Sequence, residues 1–330
     1  MTNWLKSLPK AELHLHIEGT LEPEKMFELA ARNGVDLPYE SVADLRAAYD
    51  FDDLSSFLSL YFQGMEVLQT EADFYELTMD YLGRASAEGV VHVELSFDPQ
   101  AHLVRGIELG TPLAGLTRAM TDAEHQHGIS SALIMSFLRD RDADEALNVL
   151  EQSRPWHDWI AAVGLDSAES GNPPTKFAQV FERARQLGLP RVAHAGEEGP
   201  ADYVRGALDT LDVCRVDHGV RAVDDPDLLD RLKCSQTPLT VCPLSNVYLN
   251  VVDQLVDHPL PQLIEHGLNV TINSDDPAYF GGGMLNNLAA CAEAFDWQRE
   301  TCRDVARNAV RAAFMGPQRR QQLLSDIDNC

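Results

Sequence analysis

Apolar positions along the chain fall into two alternating patterns. Short apolar runs, often β-branched, occur at Glu12–Ile17, Val90–Phe97, Ser131–Phe137, Ile160–Leu165, Arg191–His194, Arg215–His218, Leu239–Cys242 and Asn269–Asn273. Their length and content predict eight strands. Between them lie stretches with apolar residues at helical spacing. Thr175–Leu187 puts Phe177, Val180, Phe181, Ala184 and Leu187 on one face, and Thr121–His127, Asp142–Gln152, Ala201–Leu211, Pro226–Lys233 and Pro259–His266 read the same way. Strand–helix alternation predicts a parallel sheet with helices outside it. Eight such units in 330 residues predict an α/β fold, a (β/α)8 TIM barrel, as a single domain over 1–330 with extra helices at the C-terminal end. A doubly wound open sheet is the alternative, but the first strand lacks the Gly-x-Gly-x-x-Gly turn of its dinucleotide-binding versions.

One stretch breaks the alternation. Residues 23–88 carry helical segments at Pro23–Asn33, Asp53–Leu68 and Glu71–Glu88 with no strand between them. The simplest reading is a helical insertion after the first strand, lying as a cap over the barrel mouth. Tyr49, Phe51, Phe57, Tyr61, Phe62 and Met65 within it read as helix core rather than ligand contacts.

Charge narrows the partners. The chain has 26 Lys+Arg against 52 Asp+Glu, a formal net charge of −26. Such a surface repels phosphate backbones and anionic membranes, so neither nucleic acid nor membrane is expected as a partner. No run of 18 apolar residues predicts a membrane span, and the N-terminus lacks the pattern of a signal peptide. The six Cys include no Cys-x-x-Cys pair, and scattered thiols fit a reducing cytoplasm. A homo-oligomer is compatible with the sequence, which sets no stoichiometry.

The candidate chemistry sits at strand ends. His14-Leu15-His16 alternates along the first strand, so both imidazoles share one side and make half of a metal site. His194-Ala195-Gly196-Glu197 ends the fifth strand, Asp217-His218-Gly219 the sixth, and Asn273-Ser274-Asp275-Asp276-Pro277 the eighth. Each has a bland alternative: solvent-facing histidines, a satisfied buried histidine, or a surface turn built on Asp-Asp-Pro. Their convergence outweighs these alternatives, because in a barrel the C-terminal strand ends share one mouth. Three His and one Asp suit Zn2+ with room for a water, whose pKa zinc lowers toward neutrality. Glu197 and His218 are then placed to move protons. The remaining seven histidines, including His92, His102 and His258, read as surface or structural.

The motifs LPKAELHLHIEGTL, HAGEEG, DHGV, PLSN and NSDDPAYF occur in this order over residues 8–314. In this the sequence resembles the adenosine deaminase-like family of the amidohydrolase superfamily. The resemblance implies a (β/α)8 barrel with one zinc per subunit, Fe2+ being the alternative metal. It implies His14, His16, His194 and Asp275 as metal ligands. Glu197 would donate a proton to N1 of a purine, His218 would orient or deprotonate the attacking water, and Asp276 would contact N7. The segment Val163–Ser167 ending the fourth strand has no Lys to bridge a second metal.

Two departures bear on the substrate. Glu18 stands where adenosine deaminases carry an Asp that helps hold ribose. In the run Asp166–Gly171, Glu169 replaces a Gly whose backbone faces N3. The reading is that Glu169, with Gly171 and Glu18, takes the N3/N9 edge of a free base. Together with FDPQAH (97–102) this resembles the members of the family that act on adenine. The expected activity is hydrolytic deamination of adenine to hypoxanthine and ammonia, in purine salvage. N6-substituted adenines of the cytokinin type, or adenosine, are the alternative substrates. A non-catalytic purine- or metal-binding protein is the alternative of a different class.

Overall fold

The structure, a computed structural model, describes residues 1–330. Eight parallel strands form it: β1 (Lys10–His16), β2 (Val90–Phe97), β3 (Ser130–Leu138), β4 (Ile160–Asp166), β5 (Val192–Ala195), β6 (Arg215–His218), β7 (Leu239–Val241) and β8 (Val270–Ile272). They pair in chain order as β1–β4 and β5–β8. Two single parallel bridges join the halves, Leu15 with Asp275 and Val163 with Arg191. At the first seam His16 N–H donates to Asp275 O at 3.0 Å and Asp275 N–H to His14 O at 3.2 Å. At the second, Val163 N–H donates to Pro190 O at 3.0 Å. The eight predicted strands are therefore present and close into a (β/α)8 barrel. Every position of β1 is buried, as expected for a strand covered on both faces.

The helical segment after β1 divides into Pro23–Asn33, Val42–Ala47, Leu54–Met65 and Glu71–Ala87. Asp53 caps the third, accepting from Ser56 N–H at 2.8 Å, while the Ser56 hydroxyl accepts from Asp53 N–H at 3.1 Å. The expectation of a cap over the whole of 23–88 is too wide. Glu71–Ala87 packs on β2 and on the helix Gly110–His127, and so belongs to the outer ring. That partner helix is also longer than the predicted Thr121–His127. Its Gly115 weakens the sequence signal, yet a Cβ there would run into the backbone and Phe74 of the helix it packs on. After β8, Met284–Ala294, Arg299–Ala312 and Pro317–Asn329 form the expected extra helices, and Arg299–Ala312 packs across β8 and β1.

One cluster of 85 buried apolar residues runs through the barrel and its helices, so the chain has one core. Within it, Arg215 on β6 reaches across the barrel to Glu94 on β2 at 2.7 Å and donates to Leu13 O on β1 at 3.1 Å. Burial opposes ionisation of Glu94, but the Arg215 charge overrides it and holds the carboxyl below its usual range. No helix is long and apolar enough to cross a membrane.

Arg215→Met leaves the Glu94 carboxylate buried without its partner. The expected cost is about 3–5 kcal/mol, read as a lowered thermal unfolding midpoint. Adding Glu94→Leu should recover part of it, and a double variant less stable than the single one contradicts the pairing.

Candidate active site

The end of β1 and the segment after β8 are held together by backbone, and this juxtaposition starts the site. His14 Nε2 lies 3.0 Å from His194 Nε2, and His16 Nε2 lies 3.2 Å from the same atom. Asp275 Oδ1 is 3.2 Å from His14 Nε2 and 3.4 Å from His16 Nε2. The other ring nitrogens face acceptors. His14 Nδ1 is 3.1 Å from both the Thr240 carbonyl and hydroxyl, His16 Nδ1 is 3.5 Å from Asp166 Oδ2, and His194 Nδ1 is 3.7 Å from Asp217 Oδ2. With hydrogens on Nδ1, three Nε2 lone pairs and a carboxylate converge on one point, an arrangement that repels itself without a cation. Donors at 2.0–2.1 Å from a tetrahedral metal stand about 3.4 Å apart, close to the spacings found. The donor set fits a divalent metal. His14 also favours positive charge: burial alone would lower its imidazole pKa, but Asp275 beside it outweighs this and the net shift is up.

His218 completes a second close group with His14, His194 and Asp275. Its Nε2 lies 3.9 Å from Asp275 Oδ2 and 3.5 Å from Glu197 Oε2, so it sits between the cluster and the acid. Burial and the neighbouring His14 push its pKa down to about 3, leaving the ring neutral. Glu197 is shifted the other way. Burial, then the charges of Asp275 and Glu169, raise its carboxyl well above the usual range, which favours its protonated form. Asp276 is raised likewise by burial and Asp275. A Cβ on Gly19 would run into the Asp276 carboxylate, so the Gly of HIEGT is what lets that side chain lie where it does. His218 and Asp275 have φ of +62° and +65°, and Ser167 after β4 has +69°. Three strained non-glycine residues thus turn at the ends of β4, β6 and β8.

These groups open into a cavity of about 400 Å³, open mouth included. His16, His194, His218, Glu197, Asp275 and Asp276 form its polar floor, and Leu54, Phe57, Leu58, Tyr61, Phe62, Leu249 and Phe280 its apolar wall. Phe57, Tyr61 and Phe62 were expected as helix core. They reach the cavity because Leu54–Met65 is the part of the insertion that lies over the mouth.

Three expected substrate contacts are corrected. The Glu169 carboxylate does not face the cavity. It accepts from Gly196 N–H at 2.6 Å, Glu197 N–H at 3.0 Å and Gly199 N–H at 2.8 Å, fastening the HAGEEG loop. Glu198 returns the clamp, accepting from Glu169 N–H at 3.1 Å. Gly171 is exposed and lies outside the cavity. Glu18 is buried but also outside it, bound to His102 Nε2 at 2.8 Å and Asp98 N–H at 3.2 Å. His92, His102 and His258 are likewise buried, not at the surface. Two acids not proposed as site residues do line the cavity. Asp98 directly follows β2 and Asp166 ends β4. The strand-end rule that singled out the histidines would have found both.

Comparison with known proteins agrees with this geometry. The profile of the adenosine deaminase family matches residues 9–330. The adenine deaminase of Streptomyces coelicolor is 57% identical over 311 residues, 94% of this chain and 92% of that one. The crystal structure of the adenine deaminase from Arthrobacter aurescens superposes with a TM-score of 0.96 at 51% identity, covering 98% of both chains. An amidohydrolase from Burkholderia ambifaria, solved with bound zinc, superposes with a TM-score of 0.91 at 27% identity, covering 99% of this chain and 93% of that one. With a closed barrel, a metal-ready cluster and a family match over nearly its whole length, the chain belongs to the adenosine deaminase family.

Proposed function

We propose that the protein is an adenine deaminase, a metal-dependent hydrolase that converts adenine and water to hypoxanthine and ammonia. The observation that carries this is the buried Glu197 carboxyl and a neutral His218, 3.5 Å apart beside the convergent donors His14, His16, His194 and Asp275. Relatives more than half identical over almost the full length, named for this activity, support the same reading. His14, His16, His194 and Asp275 would hold Zn2+, in keeping with the zinc in the Burkholderia relative. Zinc supplies Lewis acidity that makes water nucleophilic near neutral pH.

The protein's own residues supply the rest. Glu197 gives its proton to N1 as oxygen adds to C6, so negative charge never accumulates on the ring. His218 takes a proton from the attacking water and passes it to the departing amine. The C6–O bond forms, the C6–N6 bond breaks, and ammonia leaves. Glu197 regains a proton from the oxygen added at C6, which becomes the carbonyl of hypoxanthine. Protonated Asp276 donates to N7 and fixes the ring against the site. The apolar wall from Leu54–Met65 excludes bulk water. The reacting partner is thus a small purine base. All six thiols are unpaired, in keeping with a cytoplasmic place in purine salvage.

With zinc-loaded protein, adenine is expected to give equimolar hypoxanthine and ammonia, and adenosine far less. A chelator should abolish turnover and added Zn2+ restore it; equal turnover of both compounds, or turnover that survives full metal removal, contradicts the proposal. Glu197→Gln should lower kcat by about 10²–10⁴-fold with metal content unchanged. Full activity in that variant would show that the acid at N1 lies elsewhere.

A further inference from the structure

With Glu169 and Glu18 occupied elsewhere, the edge of the base opposite C6 has no reader among the residues given a role so far. The order of the strands says where that edge lies. If N1 meets Glu197 after β5 and N7 meets Asp276 after β8, C6 faces the donor cluster. The far edge then spans the remaining arc of the mouth. N9 lies on the N7 side, toward the ends of β1 and β2. N3 lies on the N1 side, toward β3 and β4. The first arc offers Asp98; the second offers the Ser167 hydroxyl and Asp166, whose Oδ2 faces His16 Nδ1 at 3.5 Å. On the first, Asp98 is 2% exposed and its Oδ1 is buried without a hydrogen-bond partner in the protein. Its other oxygen is held by the Tyr61 hydroxyl at 3.3 Å, which fixes the carboxyl in place. On the second, the Ser167 hydroxyl is also buried and unpartnered, on a residue turned inward by its positive φ. Glu18 also has one unpartnered oxygen, but it lies behind the wall and does not line the cavity, its other oxygen being held by His102 and Asp98 N–H. A buried acceptor without a partner is costly, and a ligand donor that meets it recovers that cost only when the donor is present.

We propose that Asp98 determines specificity for the free base by accepting a hydrogen bond from N9–H, with the Ser167 hydroxyl donating to N3. This rests on the adenine reading above. A nucleoside has a ribose carbon in place of that hydrogen. It would leave Asp98 unpaired and press sugar against the pair Asp98–Tyr61. Sites that bond a substrate N–H reject analogues lacking it by large factors, on the order of 10⁴.

The test uses zinc-loaded enzyme with adenine and 9-methyladenine, which differ only at N9. Wild type should prefer adenine by on the order of 10⁴ in kcat/KM. In Asp98→Ala, kcat/KM for adenine should fall by about 10²-fold or more while that for 9-methyladenine does not fall, so the ratio collapses. Zinc content is measured alongside. An equal fall for both substrates would show that Asp98 only supports Tyr61 and the fold, and comparable wild-type turnover of both would remove the premise. Ser167→Ala should cost turnover of adenine but not of 3-deazaadenine; an equal loss on both excludes the N3 contact. Should Asp98→Ala not fold, calorimetric binding of purine and 9-methylpurine to wild type decides. Much tighter binding of purine supports the N9 contact, and equal affinity overturns it. That binding pair also separates the two readings: absent adenine turnover defeats the proposed reaction, whereas equal purine affinities defeat the role of Asp98 alone.

Discussion

Asp275 is the residue on which both the barrel and its chemistry depend. Its backbone forms the bridge to β1 that closes the ring, exchanging hydrogen bonds with His14 and His16. Its carboxylate lies within 3.4 Å of the Nε2 atoms of those same histidines. One residue therefore fixes the seam and the charge centre together, and any shift of the seam would displace the donors. The residues around it reinforce the arrangement. Glu12 on β1 bonds both Ser274 N–H and its hydroxyl, and takes the Tyr81 hydroxyl on its other oxygen. The loop carrying Asp275 is thereby tied to strand and ring helix before any ligand binds.

The same charge divides the carboxyl groups into two kinds. Glu169, Glu198 and Asp217 are engaged by amides or side chains and hold loops and imidazoles in place. Glu197 and Asp276 have no such donors; burial next to Asp275 raises both carboxyls well above their usual range. Acids of the first kind position, and acids of the second kind are the proposed donors. A purine needs donors at N1 and N7, the two ring nitrogens flanking the C5–C6 side of the base. In the proposed reaction the two raised carboxyls stand at these nitrogens, with neutral His218 beside the nucleophile.

Much of this was legible in the sequence. Strand ends carried the signal, since parallel strands in a barrel deliver their C-terminal residues to one place whatever their separation in the chain. His14 and His194 are 180 residues apart in sequence and 3.0 Å apart at their Nε2 atoms. What sequence could not show was side-chain direction in the loops. Glu169 read as a substrate acid because of its position, yet three amides of a turn 27–30 residues downstream had the stronger claim on its carboxylate. Glu18 was drawn to His102 in the same way. The aromatics of Leu54–Met65 carry the helical spacing of core residues. Only the placement of that helix over the mouth distinguishes a wall from a core. Asp98 and Asp166 were within reach of the strand-end rule, but acids are so frequent among 330 residues with 52 of them that neither stood out.

The proposed chemistry depends on burial and Asp275 raising the Glu197 carboxyl far enough to keep its proton. The most direct measurement is the infrared difference between wild type and Glu197→Gln, both zinc-loaded, at pH 7. A protonated carboxyl band in wild type that disappears in the variant is expected. A difference spectrum showing loss of an ionised carboxylate instead, with the protonated band appearing only in acid, would contradict it.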